Sequence, residues 1–117
     1  MTVEVGRPGF STSIEALRIR TWMLGRGQPS QVIDQFTAED FHFVVDDRAD
    51  MHIASKDGRL YLGWFPEGRP GRLDEGWRLA VTGTATVPGY SIGFDVETPA
   101  HVIASAVTAV ISTSRPA

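Results

Sequence analysis

Two histidines and three aspartates fall within one short stretch of this sequence: His42, Asp46, Asp47, Asp50 and His52. Imidazole and carboxylate are ligands for zinc and other divalent ions, and the same pair serves acid–base chemistry. The spacing offers no ready-made metal site, because neither His-x-His nor a helical His-x-x-x-His is present. The stretch reads instead as strand, polar turn, strand. If Phe41, Phe43, Met51 and Ile53 face a core, alternation turns His42 and His52 toward solvent. His101 is expected in the first turn of a C-terminal helix, exposed. A nucleophile is harder to find: there is no cysteine, no Gly-x-Ser-x-Gly elbow and no serine beside a histidine base. Asp46 and Asp47 are adjacent, whereas a glycosidase pair must converge across a cleft. Gly25-Arg26-Gly27 lacks the spacing of a phosphate loop. The expectation is therefore a non-enzymatic protein with no cofactor and no metal.

A second constellation carries more physical content. Arg59, Tyr61, Phe65 and Arg78 fall on the outward side of alternating segments, joined by Arg18, Arg20 and Trp22 from an earlier one. Arginines interleaved with aromatics on a sheet can stack bases while guanidiniums meet phosphates. Four antiparallel strands followed by a helix also resemble, in topology alone, the dimeric Whirly-type single-strand binders. A net charge of −3 and a single lysine among eleven basic residues oppose that reading. The same seven residues also read as a contact surface, since Trp22, Tyr61 and Phe65 would form an exposed apolar patch. The favoured reading is thus a small interaction module, homodimeric or bound to another protein. A regulatory protein binding single-stranded nucleic acid is the alternative.

The elements that position these residues follow from hydrophobic period. Arg59–Phe65, Trp77–Thr82 and Tyr90–Val96 alternate apolar and polar residues, with Gly- and Pro-rich connections between them. Leu60, Leu62, Trp64, Trp77, Leu79, Val81, Ile92 and Phe94 are the expected core side. Phe41–Val45 and Met51–Ser55 are shorter strands, and Lys56-Asp57-Gly58 is a tight hairpin into the central stretch. Ile14–Leu24 alternates as a first strand. Pro29 opens a helix running to about Asp40, with Val32, Ile33 and Phe36 on one face. Near the end, Thr98 is expected to cap and Pro99 to occupy the first turn of a helix whose face is Val102, Ile103, Ala106, Val107 and Val110. The predicted fold is α+β: an antiparallel sheet of about five to six strands with two helices packed on one face, in the order β-α-β-β-β-β-β-α.

Composition sets the frame. At 117 residues the chain makes one domain, expected over residues 14–113, with a flexible arm at 1–13 and a tail at 114–117. No apolar run is long enough for a membrane span. The opening residues lack a secretory pattern, and the absence of cysteine fits a reducing cytoplasm. Residues 31–50 hold Asp34, Glu39, Asp40, Asp46, Asp47 and Asp50 against Arg48 alone, a run best read as solvated loops.

Several of these segments also resemble a known family. Leu24-Gly25-Arg26-Gly27 precedes Pro29, Val32 and Ile33. Then come Ser55-Lys56-Asp57-Gly58-Arg59-Leu60, Trp77-Arg78-Leu79 and Phe94-Asp95-Val96-Glu97-Thr98-Pro99. In order and spacing these are similar to the DUF317, or SPDY, domain of Streptomyces and related actinobacteria, over roughly residues 17–112. Lys56 stands where that family usually has proline, and Gly58 where it can carry tyrosine. The family frequently occurs as tandem copies, whereas one copy is present here. The resemblance implies the fold unit and a bacterial setting, with no activity attached.

Overall fold

The computed structural model describes residues 21–113. Its elements are α1 (Ser30–Ile33), β1 (Phe41–Val45), β2 (Met51–Ser55), β3 (Leu60–Trp64), β4 (Glu75–Val81), β5 (Tyr90–Asp95) and α2 (Ala100–Ser112). The strands form one antiparallel sheet in the order β1-β2-β3-β4-β5, so each strand pairs with its neighbour in sequence. The α+β class, the meander and the two helices are as the hydrophobic period predicts. The expected first strand, Ile14–Leu24, lies mostly outside the described residues, as do the arm, the tail, Arg18 and Arg20. Residues 21–24 carry no strand, and Trp22 sits there exposed.

Register explains where the core lies. Phe43, Ile53, Leu62, Leu79 and Ile92 stand opposite one another in one row across all five strands. The middle three are buried and the two at the edges are not, with Phe43 39% and Ile92 41% exposed. Ile92 is therefore on the expected side without being core, because the helices cover only the middle of the sheet. Against that middle pack Val32 and Phe36 from α1 and its exit turn, and Ala100, Ile103 and Val107 from α2. Burying a side chain the size of Leu62 or Leu79 contributes roughly 1.5–3 kcal/mol. Gln35 ties the helical layer together, its Nε2 donating to the Ala104 carbonyl at 3.0 Å and its Oε1 accepting from Thr108 Oγ1 at 2.6 Å. Both helices thus lie on one face of the sheet, as expected, while Val102 points out, half-exposed.

Two helix details differ from the sequence reading. α1 ends after one turn rather than reaching Asp40. The amides of Gln35 and Phe36 donate to Val32 and Ile33 three residues back, a tightening that closes a helix. Phe36 then meets the edge of Phe41, ring centroids 4.9 Å apart, at the entry to β1. At α2 the cap is Pro99 rather than Thr98, with no side-chain cap bond. The free donor at Ala100 is satisfied instead from a distance, by the Arg26 carbonyl at 2.7 Å. The Arg26 guanidinium reinforces the same junction through a 2.8 Å ion pair to Glu97. Among the described residues no helix is long and apolar enough to cross a membrane.

Candidate interaction surfaces

The face of the sheet turned away from the helices carries the residues singled out from sequence. Val44, His52, Gly63, Arg78 and Gly93 form one row across it, and Ala54, Tyr61, Ala80 and Ser91 the next. Each large residue in the middle of the sheet is thus flanked by small ones. Arg78 lies between two glycines, and Tyr61 between two alanines. The glycines make room: a Cβ on Gly63 would press on the Tyr61 hydroxyl and lie 2.7 Å from Phe65 Cζ. One on Gly93 would press on Glu75 and lie 3.0 Å from Arg78 Nη2.

That room lets side chains fold down onto the sheet, which changes the expected picture. Phe65 is on the predicted face but is only 4% exposed, so it does not belong to an open binding surface. Its ring lies over Gly63 and meets His52 edge-on at 5.9 Å. Tyr61 is half-buried beside it, and burial pushes its hydroxyl pKa up, so the side chain stays a phenol. Phe65 therefore adds nothing to the exposed apolar patch expected from Trp22, Tyr61 and Phe65.

His52 sits at the centre of a chain of hydrogen bonds. Its Nε2 lies 2.8 Å from Asp46 Oδ2 and its Nδ1 2.8 Å from the Tyr61 hydroxyl. A carboxylate can only accept, so Nε2 donates to Asp46, while Nδ1 pairs with the Tyr61 hydroxyl, which can donate or accept. Asp46 Oδ1 also accepts the amides of Arg48 and Asp50, closing the turn between β1 and β2. The hydrogen bond from His52, followed by these amides, holds the Asp46 carboxyl below its ordinary value. Of the five residues in the histidine–aspartate stretch, the fold therefore brings Asp46 and His52 into contact. His42 and Asp47 stay exposed. Asp50 is buried, with Arg48 Nη1 at 3.7 Å and neither carboxylate oxygen in a hydrogen bond among the described residues. No group of three or more His, Cys, Asp or Glu side chains among the described residues is arranged to hold a metal ion.

The chain from Asp46 to Tyr61 makes a measurable claim. His52→Ala is expected to destabilise the fold by about 1–2 kcal/mol in urea titration, the typical loss for unmet partners. It should also move the Asp46 carboxyl upward in an NMR titration. Because Asp46 is depressed in the folded state, its contribution exists above the ordinary aspartate value of about 3.9 and fades on acidification. An Asp46 titration unchanged by the substitution would show that the ring does not hold the carboxylate.

Glu75 is the residue that sequence reading missed. It is 6% exposed, yet it takes both Nε and Nη2 of Arg78, at 2.8 and 2.7 Å, and Nε of Arg69. Arg78 Nη1 goes on to Ser91 at 2.7 Å. The Arg78 hydrogen bonds, with those of Arg69, pull the Glu75 carboxyl below its ordinary value against the effect of burial. The arginine expected to meet phosphate at Arg78 is thus committed within the domain. Arg59, expected beside Tyr61, is exposed on the hairpin before β3 and also lines a groove on the helix side.

The two edge strands supply exposed apolar residues instead. On β1, Phe43, Val44 and Val45 are all exposed, and on β5 so are Tyr90 and Ile92. A five-strand meander backed by two helices, with the arginines of its open face paired within the domain, makes a small α+β domain. The chain belongs to the SPDY family, a domain of unknown function (DUF317), whose match covers residues 54–117, more than half of its length. No curated protein and no solved structure matches it.

Proposed function

We propose that this chain is a non-catalytic interaction module that self-associates by adding strand to strand. The observation that carries the reading is β1. Among the described residues it is an edge strand, paired with β2 alone. Its sequence Phe41-His42-Phe43-Val44-Val45 contains no charge, proline or glycine, and its pairing with β2 is regular throughout. Natural sheets blunt their edges with charges, prolines or bulges, and an edge with none of these is a template for another strand. Val44 and Val45, on opposite faces, are 58% and 59% exposed, so a partner strand would gain apolar cover on both sides. A second copy supplies the same edge and the same apolar pairs, making a twofold assembly the simplest occupant. The absence of cysteine fits a cytoplasmic setting for such a module.

Multi-angle light scattering across a concentration series tests this directly. The expected result is a dimer at high micromolar concentration. Val44→Lys, at an exposed position, should return the chain to monomer with a thermal midpoint close to the parent's. A strict monomer throughout the series would sink the reading, and a dimer indifferent to Val44→Lys would move the interface elsewhere.

A further inference from the structure

The groove under the end of α2 touches the edge strand of the assembly just described only at Phe41. It occupies about 690 Å³, within the range of roughly 300–1,000 Å³ typical of sites for small molecules. Its floor is one row of the sheet: Phe41 opposite Ser55 on β1 and β2, then Leu60, Val81 and Tyr90 on β3, β4 and β5. At the usual spacing between strands, that row runs about 19 Å across the sheet. The last turns of α2 form the other wall. Ala109, Val110 and Ile111 of α2 line it with Thr113, while Ile103 and Val107 fill the sheet's centre earlier in the helix.

Arg59 gives this apolar groove a chemical preference. It lines the groove, is exposed, and has no ion-pair partner among the described residues. The neighbouring acid, Asp57, is occupied within its own turn, where its carboxylate accepts Ser55 Oγ and the Arg59 amide. The Ser55 hydroxyl holds its pKa down, and the Arg59 amide and, more weakly, the Arg59 charge add to the effect. The α2 carbonyl at Ala109 is also answered, by Thr113 Oγ1 at 2.6 Å. Asp57 lines the groove beside Arg59, and Lys56, the next residue along the hairpin, brings the local balance to one positive charge. A long apolar floor whose one guanidinium has no side-chain hydrogen bond, beside a carboxylate already held by Ser55 and the Arg59 amide, suits a ligand with an apolar body and one carboxylate.

We propose that the groove between the end of α2 and the sheet row from Phe41 to Tyr90 binds an amphipathic carboxylic acid, its chain on the row and its carboxylate on Arg59. The test is an amide NMR titration of the full chain with decanoate, beside decan-1-ol and decylammonium. Saturable shifts at Leu60, Val81, Tyr90 and Val110 are expected with decanoate. Arg59→Gln should weaken decanoate about tenfold while leaving decan-1-ol unchanged. Ala109→Leu should block both; if that variant does not fold, Thr113→Phe narrows the same groove from an exposed position. Equal affinity for all three ligands, or preference for the ammonium, overturns the assignment. So does binding that appears only when the chain is cut after Thr113, since the groove would then seat the chain's own tail. The dimer measurement is separate: loss of binding in a Val44→Lys monomer would tie the groove to the partner copy and also refute a site built by one chain.

Discussion

Replacing Glu75 with alanine is expected to be the most damaging single change on the open face. Glu75 is nearly buried and answers two guanidiniums, whose side chains are only 30% and 27% exposed. Removing one partner of a buried ion pair typically costs 3–5 kcal/mol, because the opposite charge is left without its counter-ion. Here the two arginines keep partial access to water, which lowers the expected loss to about 2–4 kcal/mol. In a domain of this size that corresponds to a fall of ~10 °C or more in thermal midpoint. Glu75→Gln keeps the shape and one acceptor and should fall between alanine and the parent. The two substitutions also separate charge from shape by their pH dependence. The folded carboxyl titrates below its ordinary value, so the parent holds this stabilisation above about pH 4.3 and loses it as pH falls through the depressed value. The gap between parent and Glu75→Gln should therefore be widest near neutrality and shrink on acidification. A Glu75→Ala variant within 1 kcal/mol of the parent would mean that the arginines find water as good a partner as the carboxylate.

Glu75 also shows where sequence reading stops. Strand period was enough to locate all five described strands, since Leu60, Leu62 and Trp64, or Trp77, Leu79 and Val81, can only line one side of a sheet. Counting back by two from Trp77 puts Glu75 on the core side, which makes a strand residue there look impossible. The glycines and prolines of Pro66–Gly76 also mark that segment as a connection. A register shift between Glu75 and Trp77 resolves the conflict. A bulge turns the residue before it to the other face, and a bulge is a property of two strands together. Phe65 failed for a related reason. Its face was right, but its burial depends on Gly63 below it and His52 beside it on β2, and neither contact is visible at the level of one strand. Ile92 erred in the opposite sense, because which strands the helices cover depends on helix placement. The contact between Asp46 and His52 was within reach of the sequence, since a turn joining two paired strands brings its flanks together. What could not be read was that the ring's other nitrogen meets Tyr61, a residue from the third strand.

The second large effect is expected at Gly68, and it is best measured against Gly58. Both glycines sit in the left-handed region, at φ +89° and +74°, so alanine at either position meets the same backbone penalty of roughly 1–2 kcal/mol. Their surroundings differ. A Cβ on Gly58 meets nothing within 4 Å, whereas one on Gly68 would press on the Leu73 carbonyl oxygen and lie 2.8 Å from Leu73 Cα. Backbone cannot rotate away as a flexible side chain can, so the whole connection between β3 and β4 must shift. That connection is tied at both ends. The Gly68 amide donates to Phe65, its carbonyl accepts Arg48 Nη2 at 3.1 Å, and Arg69 bonds Glu75 through both its amide and its guanidinium. Moving Gly68 therefore strains the link to the β1–β2 turn and loosens one of the two cations held by Glu75. Overpacking of this kind adds about 1–3 kcal/mol. Gly68→Ala should lose about 2–4 kcal/mol in urea or thermal unfolding, and Gly58→Ala only the backbone share. Because Gly68→Ala acts partly through Arg69, its loss should be less than additive with that of Glu75→Ala in the double variant. Equal losses at the two glycines would mean that the connection yields freely, and strict additivity would mean that Gly68 and Glu75 belong to separate parts of the fold.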